Sequence, residues 1–279
     1  MSTVAITAAD VNKLRQMTGA GMMDCKKALT ESNGDLEAAI DFLRKKGQKV
    51  AGNRADRETN EGVVIASVNS GANRATLVSL NCETDFVAKN QDFINFTQQI
   101  SDIANSNQPE NLEALLAIQI DGLPIGDKIT EQIGKIGEKI ELSYHHISAP
   151  FVIAYNHPGN RLATIVGFSK AGVNGLDTVA KDVAMQAAAM APVALDKDDV
   201  DSSTLERELD IAREQIRAEG KPEEMVEKIA QGKLNKFYKD NTLLNQEFIK
   251  DNKLTVRQYV QTIDKDLMVT GFKRFSVGN

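Results

Sequence analysis

Two short apolar runs recur far apart in this chain at one fixed spacing, and that recurrence limits the folds open to it. Val64-Ile65-Ala66 returns as Val152-Ile153-Ala154, and Ala75-Thr76-Leu77-Val78 as Ala163-Thr164-Ile165-Val166, both displaced by 88 positions. Each copy reads as two β-segments around a polar turn, followed by a helical pattern. The first turn is Asn69-Ser-Gly-Ala-Asn73. The second, Asn156-His-Pro-Gly-Asn160, places Pro-Gly at the central positions of a type II turn. After the first copy, Phe93, Phe96 and Ile100 recur at helical spacing, and Pro109 begins another short helical piece. After the second, Leu176 to Ala191 turns Leu176, Val179, Val183 and Ala187 inward and stops at Pro192. Two copies of so long a period make no solenoid. They predict two related α+β core subdomains, each a sheet covered by helices.

The first fifty residues predict three short helices in a small unit. Thr7-Ala-Ala-Asp10 has the spacing of a capping box, with Val11 and Leu14 on one face beyond it. Gly19-Ala20-Gly21 forces a corner, and Met22 to about Ser32 forms a second helix closed by Asn33-Gly34. Asp35 opens a third, with Leu36, Ala39, Ile40 and Leu43 inward, which Gly47 is expected to end. A unit this small either packs on a neighbour or rides on a tether. The polar stretch Gln48 to Glu61 reads as a linker or exposed crossing.

Between Ser203 and Lys239, Leu205, Leu209, Ala212 and Ile216 step as a coiled-coil seam with charged flanks. Gly220-Lys-Pro222 supplies a helix stop and an N1 proline, and Met225, Ile229 and Leu234 or Phe237 line a returning helix. An antiparallel hairpin thus interrupts the second subdomain before a last helix near Thr255 to Ile263 and a last strand, Met268 to Val277. The expected division is 1–54 for the three-helix module, 55–144 for the first core subdomain, 145–195 for the first part of the second, 196–240 for the inserted hairpin and 241–279 for the closing helix and strand.

At 279 residues and a formal charge of −6, the chain suits several globular units and disfavours a broad phosphate-binding face, so direct nucleic-acid binding is not expected. No apolar stretch approaches the roughly 20 residues of a membrane span. Two cysteines, Cys25 and Cys82, and a bland start predict a cytoplasmic protein with reduced thiols.

Little in the sequence resembles catalytic chemistry. Gly19-Ala-Gly21 lacks the preceding strand and the lysine of a phosphate loop. His145 and His146 are adjacent, so in a strand they face opposite ways and cannot share a metal. The cysteines lack zinc-ligand spacing, and no metal or cofactor is expected. His157, in the second turn, can hydrogen-bond a partner or simply be solvated. Asp85-Phe86 has two readings. It can cap the next helix and staple it to the sheet, or stand at the strand end and reach into another molecule.

The residues that resolve this into a family are Thr18-Gly-Ala-Gly-Met-Met-Asp-Cys-Lys-Lys-Ala-Leu29 with Asn33-Gly-Asp35, and Asn81-Cys-Glu-Thr-Asp-Phe-Val-Ala-Lys89. Together they resemble bacterial translation elongation factor Ts, the guanine-nucleotide exchange factors of elongation factor Tu. Val269-Thr-Gly-Phe272, Arg274-Phe275 and Gly220-Lys-Pro222 are similar to the same family. The resemblance implies an N-terminal three-helix module like a ubiquitin-associated domain, two related α+β subdomains and, in longer members, an antiparallel coiled-coil insertion.

It further implies that elongation factor Tu is bound in both its GDP-bound and nucleotide-free states. The Thr84, Asp85, Phe86 and Val87 motif would dislodge the partner's Mg²⁺, with Phe86 entering an apolar pocket between helices of the GTPase domain. His157 would touch the partner near its phosphate loop. The N-terminal module would dock through the region of Val11, Leu14, Thr18, Gly19 and Met22. Several longer members add a C-terminal helical module. This sequence runs only to Asn279, two residues past Val277, so those extra contacts are not expected. The resemblance leaves open a homodimer or a 2:2 complex. Two rivals remain at this stage: a ubiquitin-associated-like scaffold without exchange activity, and a cysteine-dependent enzyme using Cys82.

Overall fold

The capping box at Thr7 forms as its spacing requires. Thr7 Oγ1 accepts from the Asp10 N–H at 3.2 Å, and Asp10 Oδ2 accepts the Thr7 N–H at 3.0 Å, which opens helix α1 (Ala8–Thr18). The computed structural model describes residues 5–278. It divides into two compact units. One takes the chain up to Ile65, Val78–His145 and the segment from Ser276. The other takes Ala66–Leu77 and His146–Phe275.

In the first unit, α1, α2 (Met22–Glu31) and α3 (Leu36–Asn53) close on a small core of Val11, Leu14, Cys25, Ala28, Leu29 and Ala39. Gly19 at positive φ turns the chain between α1 and α2, and the Asp35 side chain caps α3 by accepting the Ala38 N–H at 2.8 Å. Then follow β1 (Glu61–Val68) and β2 (Arg74–Cys82), whose stretch Ala66–Leu77 counts with the second unit, the single turn α4 (Asp85–Ala88), α5 (Gln91–Asn107) and α6 (Leu112–Ala117). The two-residue strands β3 (Gln119–Ile120) and β4 (Leu123–Pro124) pair ahead of α7 (Ile125–Ile136), and β5 (Glu141–Ser148) completes a sheet of order β1-β2-β5. Phe93 and Ile100 of α5 and Ile125, Ile129 and Ile133 of α7 are buried in the same cluster as Val63, Val78 and Leu80 of the sheet.

In the second unit, β6 (Phe151–Asn156) and β7 (Leu162–Phe168) pair antiparallel, with Ile153 opposite Val166 and Ala154 opposite Ile165. The turn between them matches its expectation: Gly159 has φ +92°, and the Asn160 N–H reaches His157 O at 3.1 Å. Helix α8 (Leu176–Met190) buries Leu176, Val179, Val183 and Ala187 as its spacing predicts. Helices α9 (Ser202–Ala218) and α10 (Glu223–Asn241) fold back on each other. The short strands β8 (Glu247–Phe248) and β9 (Asp251–Thr255), helix α11 (Val256–Val260) and strand β10 (Val269–Ser276) follow. The second sheet has the order β10-β7-β6. Both sheets therefore centre on the second strand of a hairpin and take a later strand on its far side, so the repeat in sequence is a repeat of topology.

Three local expectations are corrected. Gly47 does not end the third helix. The helix runs on to Asn53, and Gln48 to Asn53 is helical rather than linker. A Cβ on Gly47 would stand 2.8 Å from Thr130 O, and one on Gly134 would stand 2.9 Å from the Gly47 Cα, so α3 and α7 cross backbone to backbone at two glycines. Pro222 is the N-cap of α10 rather than its first residue. On the returning helix Val226 and Ala230 are buried against Ala212 and Ile216, while Met225 is exposed. Salt bridges from Arg213 to Glu227 and from Arg217 to Glu223 flank this small core.

The glycine crossing generates a stability prediction. Gly47→Ala gains helix propensity but forces a methyl group into a carbonyl oxygen. Urea unfolding is expected to show a net loss of about 1–3 kcal/mol, the usual cost of overpacking.

Candidate protein-docking site

Strand β2 leaves the sheet at Cys82, and the next two residues are held from outside. Glu138 Oε2 accepts the backbone N–H of Glu83 and of Thr84, each at 3.1 Å, and Glu138 Oε1 accepts the Thr84 hydroxyl at 2.6 Å. The arrangement is returned: Glu83 Oε1 accepts the Lys139 N–H at 2.6 Å, and Arg54 Nη1 donates to both Glu83 oxygens at 2.8 and 2.9 Å. Burial pushes the Glu83 carboxyl up, but the Lys139 amide and the Arg54 guanidinium outweigh it and hold it below its ordinary value. None of these anchors was legible in the sequence, because the partners lie more than fifty positions apart or on another helix.

On this base sits the single turn α4. Thr84, extended at φ −122° and ψ 153°, is its N-cap, with Oγ1 3.5 Å from the Val87 N–H. The helix that Asp85 was expected to cap, α5, is capped instead by Asn90, whose side chain accepts the Asp92 N–H at 2.8 Å. Asp85 instead pairs with Lys89 at 2.6 Å, and that hydrogen bond holds its carboxyl below the ordinary range. Val87 packs against the core of the first unit. Phe86 does not staple the helix: it is 84% exposed, the largest exposure among the large apolar side chains described. Beside it lies a groove of about 300 Å³ bordered by Val87, Phe93, Gln132, Lys135 and Ile136. The motif thus divides into two residues that hold, Thr84 and Val87, and two that project, Asp85 and Phe86.

The N-terminal residues divide in the same way. Val11 and Leu14 are buried in the three-helix core, so their side chains are not available for docking. Gly19 and Met22 are exposed at the α1–α2 corner beside the half-buried Thr18, and the exposed Met17 and Met23, which sequence reasoning missed, flank them. Lys135 of α7 runs under this corner. Its Nζ would lie 3.1 Å from a Cβ on Gly19, and the same side chain borders the Phe86 groove. His157 belongs to the second unit, where its Nδ1 lies 2.9 Å from the Tyr155 hydroxyl and its ring is exposed.

Neither thiol suits nucleophilic chemistry. Cys82 is buried, and burial together with the Glu138 charge pushes its pKa up to about 12. Cys25 is buried in the helical core and raised by the same desolvation. Among the described residues no helix is long and apolar enough to cross a membrane.

The site thus offers an exposed aromatic ring on an anchored turn, in an α+β protein whose thiols are sequestered. Over residues 83–279 the chain matches the family described as Elongation factor TS. The elongation factor Ts of Amoebophilus asiaticus is 56% identical over 278 residues, covering 99% of this chain and 100% of that protein. That of Christiangramia forsetii is 53% identical over 274 residues, covering 98% and 99%. That of Chloroherpeton thalassium is 44% identical over 284 residues, covering 98% of each. The chain belongs to the elongation factor Ts family, the nucleotide exchange factors of elongation factor Tu in translation elongation.

Two expectations follow from the anchors. Because the Glu83 pKa is lower folded than unfolded, its contribution to stability is complete above the ordinary 4.5 and is lost as pH falls through the lowered value. Urea titrations from pH 7 to about pH 3 should therefore show a steeper loss for the wild type than for Glu83→Gln. The thiols are expected to resist iodoacetamide in the native protein at mildly alkaline pH and to alkylate readily in denaturant, as mass spectrometry would read directly.

Proposed function

We propose that this chain promotes GDP release from elongation factor Tu by inserting the α4 turn into the partner's GTPase domain, where it disturbs the Mg²⁺ and phosphate site so that GTP can enter. The observation that carries this is the exposed Phe86 on its hydrogen-bonded base. In this reading Thr84 and Val87 hold the wedge, Phe86 fills an apolar pocket and Asp85 stands at the magnesium side. Thr18, Gly19 and Met22 dock the N-terminal module, which serves as a ubiquitin-associated-like unit on the same domain. His157 of the second subdomain reaches the partner near its phosphate loop. The α9–α10 hairpin is the coiled-coil insertion, residues 196–240 of the five-part division expected from sequence, and the protein works in the cytoplasm.

The energetics are those of linkage. An exchange factor that weakens GDP binding is itself weakened by GDP to the same factor, so it must prefer the nucleotide-free partner. Burying a phenylalanine contributes roughly 1.5–3 kcal/mol, or about one to two decades if the contact exists only in the open state. One ring thus accounts for part of the effect, and the phosphate-site contacts supply the rest.

Phe86→Ala is expected to fold normally and to lower stimulated release of a fluorescent GDP analogue from elongation factor Tu by roughly 10- to 100-fold at limiting factor. Unchanged stimulation would remove Phe86 from the mechanism. Asp85→Ala is expected to lose less, because the carboxylate is already engaged by Lys89. An equal loss would give the acid a direct role. Binding to elongation factor Tu that excess GDP fails to reverse would favour a scaffold without exchange activity.

A further inference from the structure

We infer that Glu138, a residue outside the wedge motif, is the positioning residue of Phe86 and sets the rate of exchange through the direction of that ring. This rests on the wedge reading of Phe86 given above. The need for such a residue follows from the size of α4. Four residues make one helical turn, and isolated turns do not hold themselves, because nucleation fixes several dihedrals for one hydrogen bond. A ring exposed as fully as Phe86 gets little direction from packing. Its direction is that of the turn, and the turn is as rigid as its first residues.

Those residues hang on one carboxylate. Glu138 follows Gly137, the left-handed C-cap of α7 at φ +80°, whose N–H returns to Ile133 O at 2.8 Å. This reversal directs the Glu138 side chain back to the end of β2, where it takes three donors: the amides of Glu83 and Thr84 and the Thr84 hydroxyl. Donating its proton to Glu138 leaves the Thr84 oxygen only lone pairs to offer the Val87 N–H. The carboxylate thus sets the rotor that caps α4. The chain of dependence runs from Glu138 to the Thr84 hydroxyl, to the Val87 amide and across the turn that carries Phe86.

Glutamine tests this chain at nearly constant volume. Its amide has one acceptor oxygen and one donor nitrogen where the carboxylate has two acceptors. If the oxygen serves the two backbone amides, the nitrogen faces Thr84 Oγ1. The hydroxyl must then accept there, and the short charge-assisted bond that fixes its proton on Glu138 is replaced by a weaker neutral one. The root of the turn is loosened while the fold around it stays.

The experiment is a double-mutant cycle between Glu138→Gln and Phe86→Ala, read as stimulated GDP release from elongation factor Tu against factor concentration, with circular dichroism and thermal unfolding as controls. In the wild-type background Glu138→Gln should lower the maximal stimulated rate roughly tenfold, the scale of a misplaced contact, with little change in the concentration for half-maximal effect. In the Phe86→Ala background the same change should cost almost nothing, because no ring is left to direct. An equal loss in both backgrounds would show that Glu138 acts independently of Phe86 and would overturn the assignment, as would a full rate in Glu138→Gln alone. A full rate in Phe86→Ala alone would instead overturn the wedge reading beneath it. Should Glu138→Gln fail to fold, Thr84→Val removes the relaying hydroxyl alone and enters the same cycle with the same expected outcomes.

Discussion

Two missing side chains fix the helix on which the rest of the first unit depends. Where Gly47 of α3 meets Gly134 of α7, no Cβ intervenes, and the backbones approach as closely as the peptide groups allow. Larger residues would separate the helices toward the 8–10 Å of ordinary packing and shift everything attached to α7. What is attached is both parts of the candidate site. Lys135 underlies the α1–α2 corner, and Glu138, just past the end of the helix, holds the α4 turn. Gly134 and Glu138 stand roughly one turn, about 6 Å, apart along the chain. The seat of the N-terminal module and the anchor of Phe86 are therefore spaced by a helix rather than by loops.

The same geometry explains what a glycine in mid-helix provides against its cost of about 1 kcal/mol in propensity. In sequence Gly47 carries two meanings, a stop or a close crossing, and only the partner helix distinguishes them. Much else was legible. The caps at Thr7 and Asp35, the type II turn at Pro158-Gly159 and the inward face of α8 are local matters, set by hydrogen bonds or spacings within a few residues. The two hairpins were legible through the repeat, but the strand orders β1-β2-β5 and β10-β7-β6, with β5 as third strand of the first sheet, were not, because strand partners far apart in sequence leave no local signal. Helix α7 left a signal in Ile125, Ile129 and Ile133, but Gly126, Gly134 and Gly137 break its pattern with residues of poor helix propensity.

The site was legible in part for the same reason. The motif at Thr84 to Val87 is continuous in sequence, but its two roles are not. Thr84, Asp85 and Asn90 are all competent caps, and the structure divides them: Thr84 opens α4, Asn90 opens α5, and Asp85 opens neither. The family resemblance implies docking in the region of Val11 and Leu14. Their periodicity belonged instead to the core of the module. An apolar residue at helical spacing indicates burial before it indicates contact, and here the side of the α1–α2 corner left exposed is that of Gly19, Met22 and their methionine neighbours.

A wedge must be stiff and bare at once, and these demands conflict if stiffness comes from apolar packing, since a packed ring has no surface left to offer. Hydrogen bonding to the turn beneath the ring separates them. Glu83 and Glu138 bring two carboxylates to one strand end, an arrangement that would repel were each not serving donors from the other's segment, with Arg54 adding a cation from the end of α3. Their charges are absorbed by backbone amides that would otherwise be orphans where the strand stops and the helix has not begun. The turn is thereby held at its root by polar contacts and at Val87 by the core, while Phe86 keeps nearly all of its surface exposed, as the proposed wedge requires.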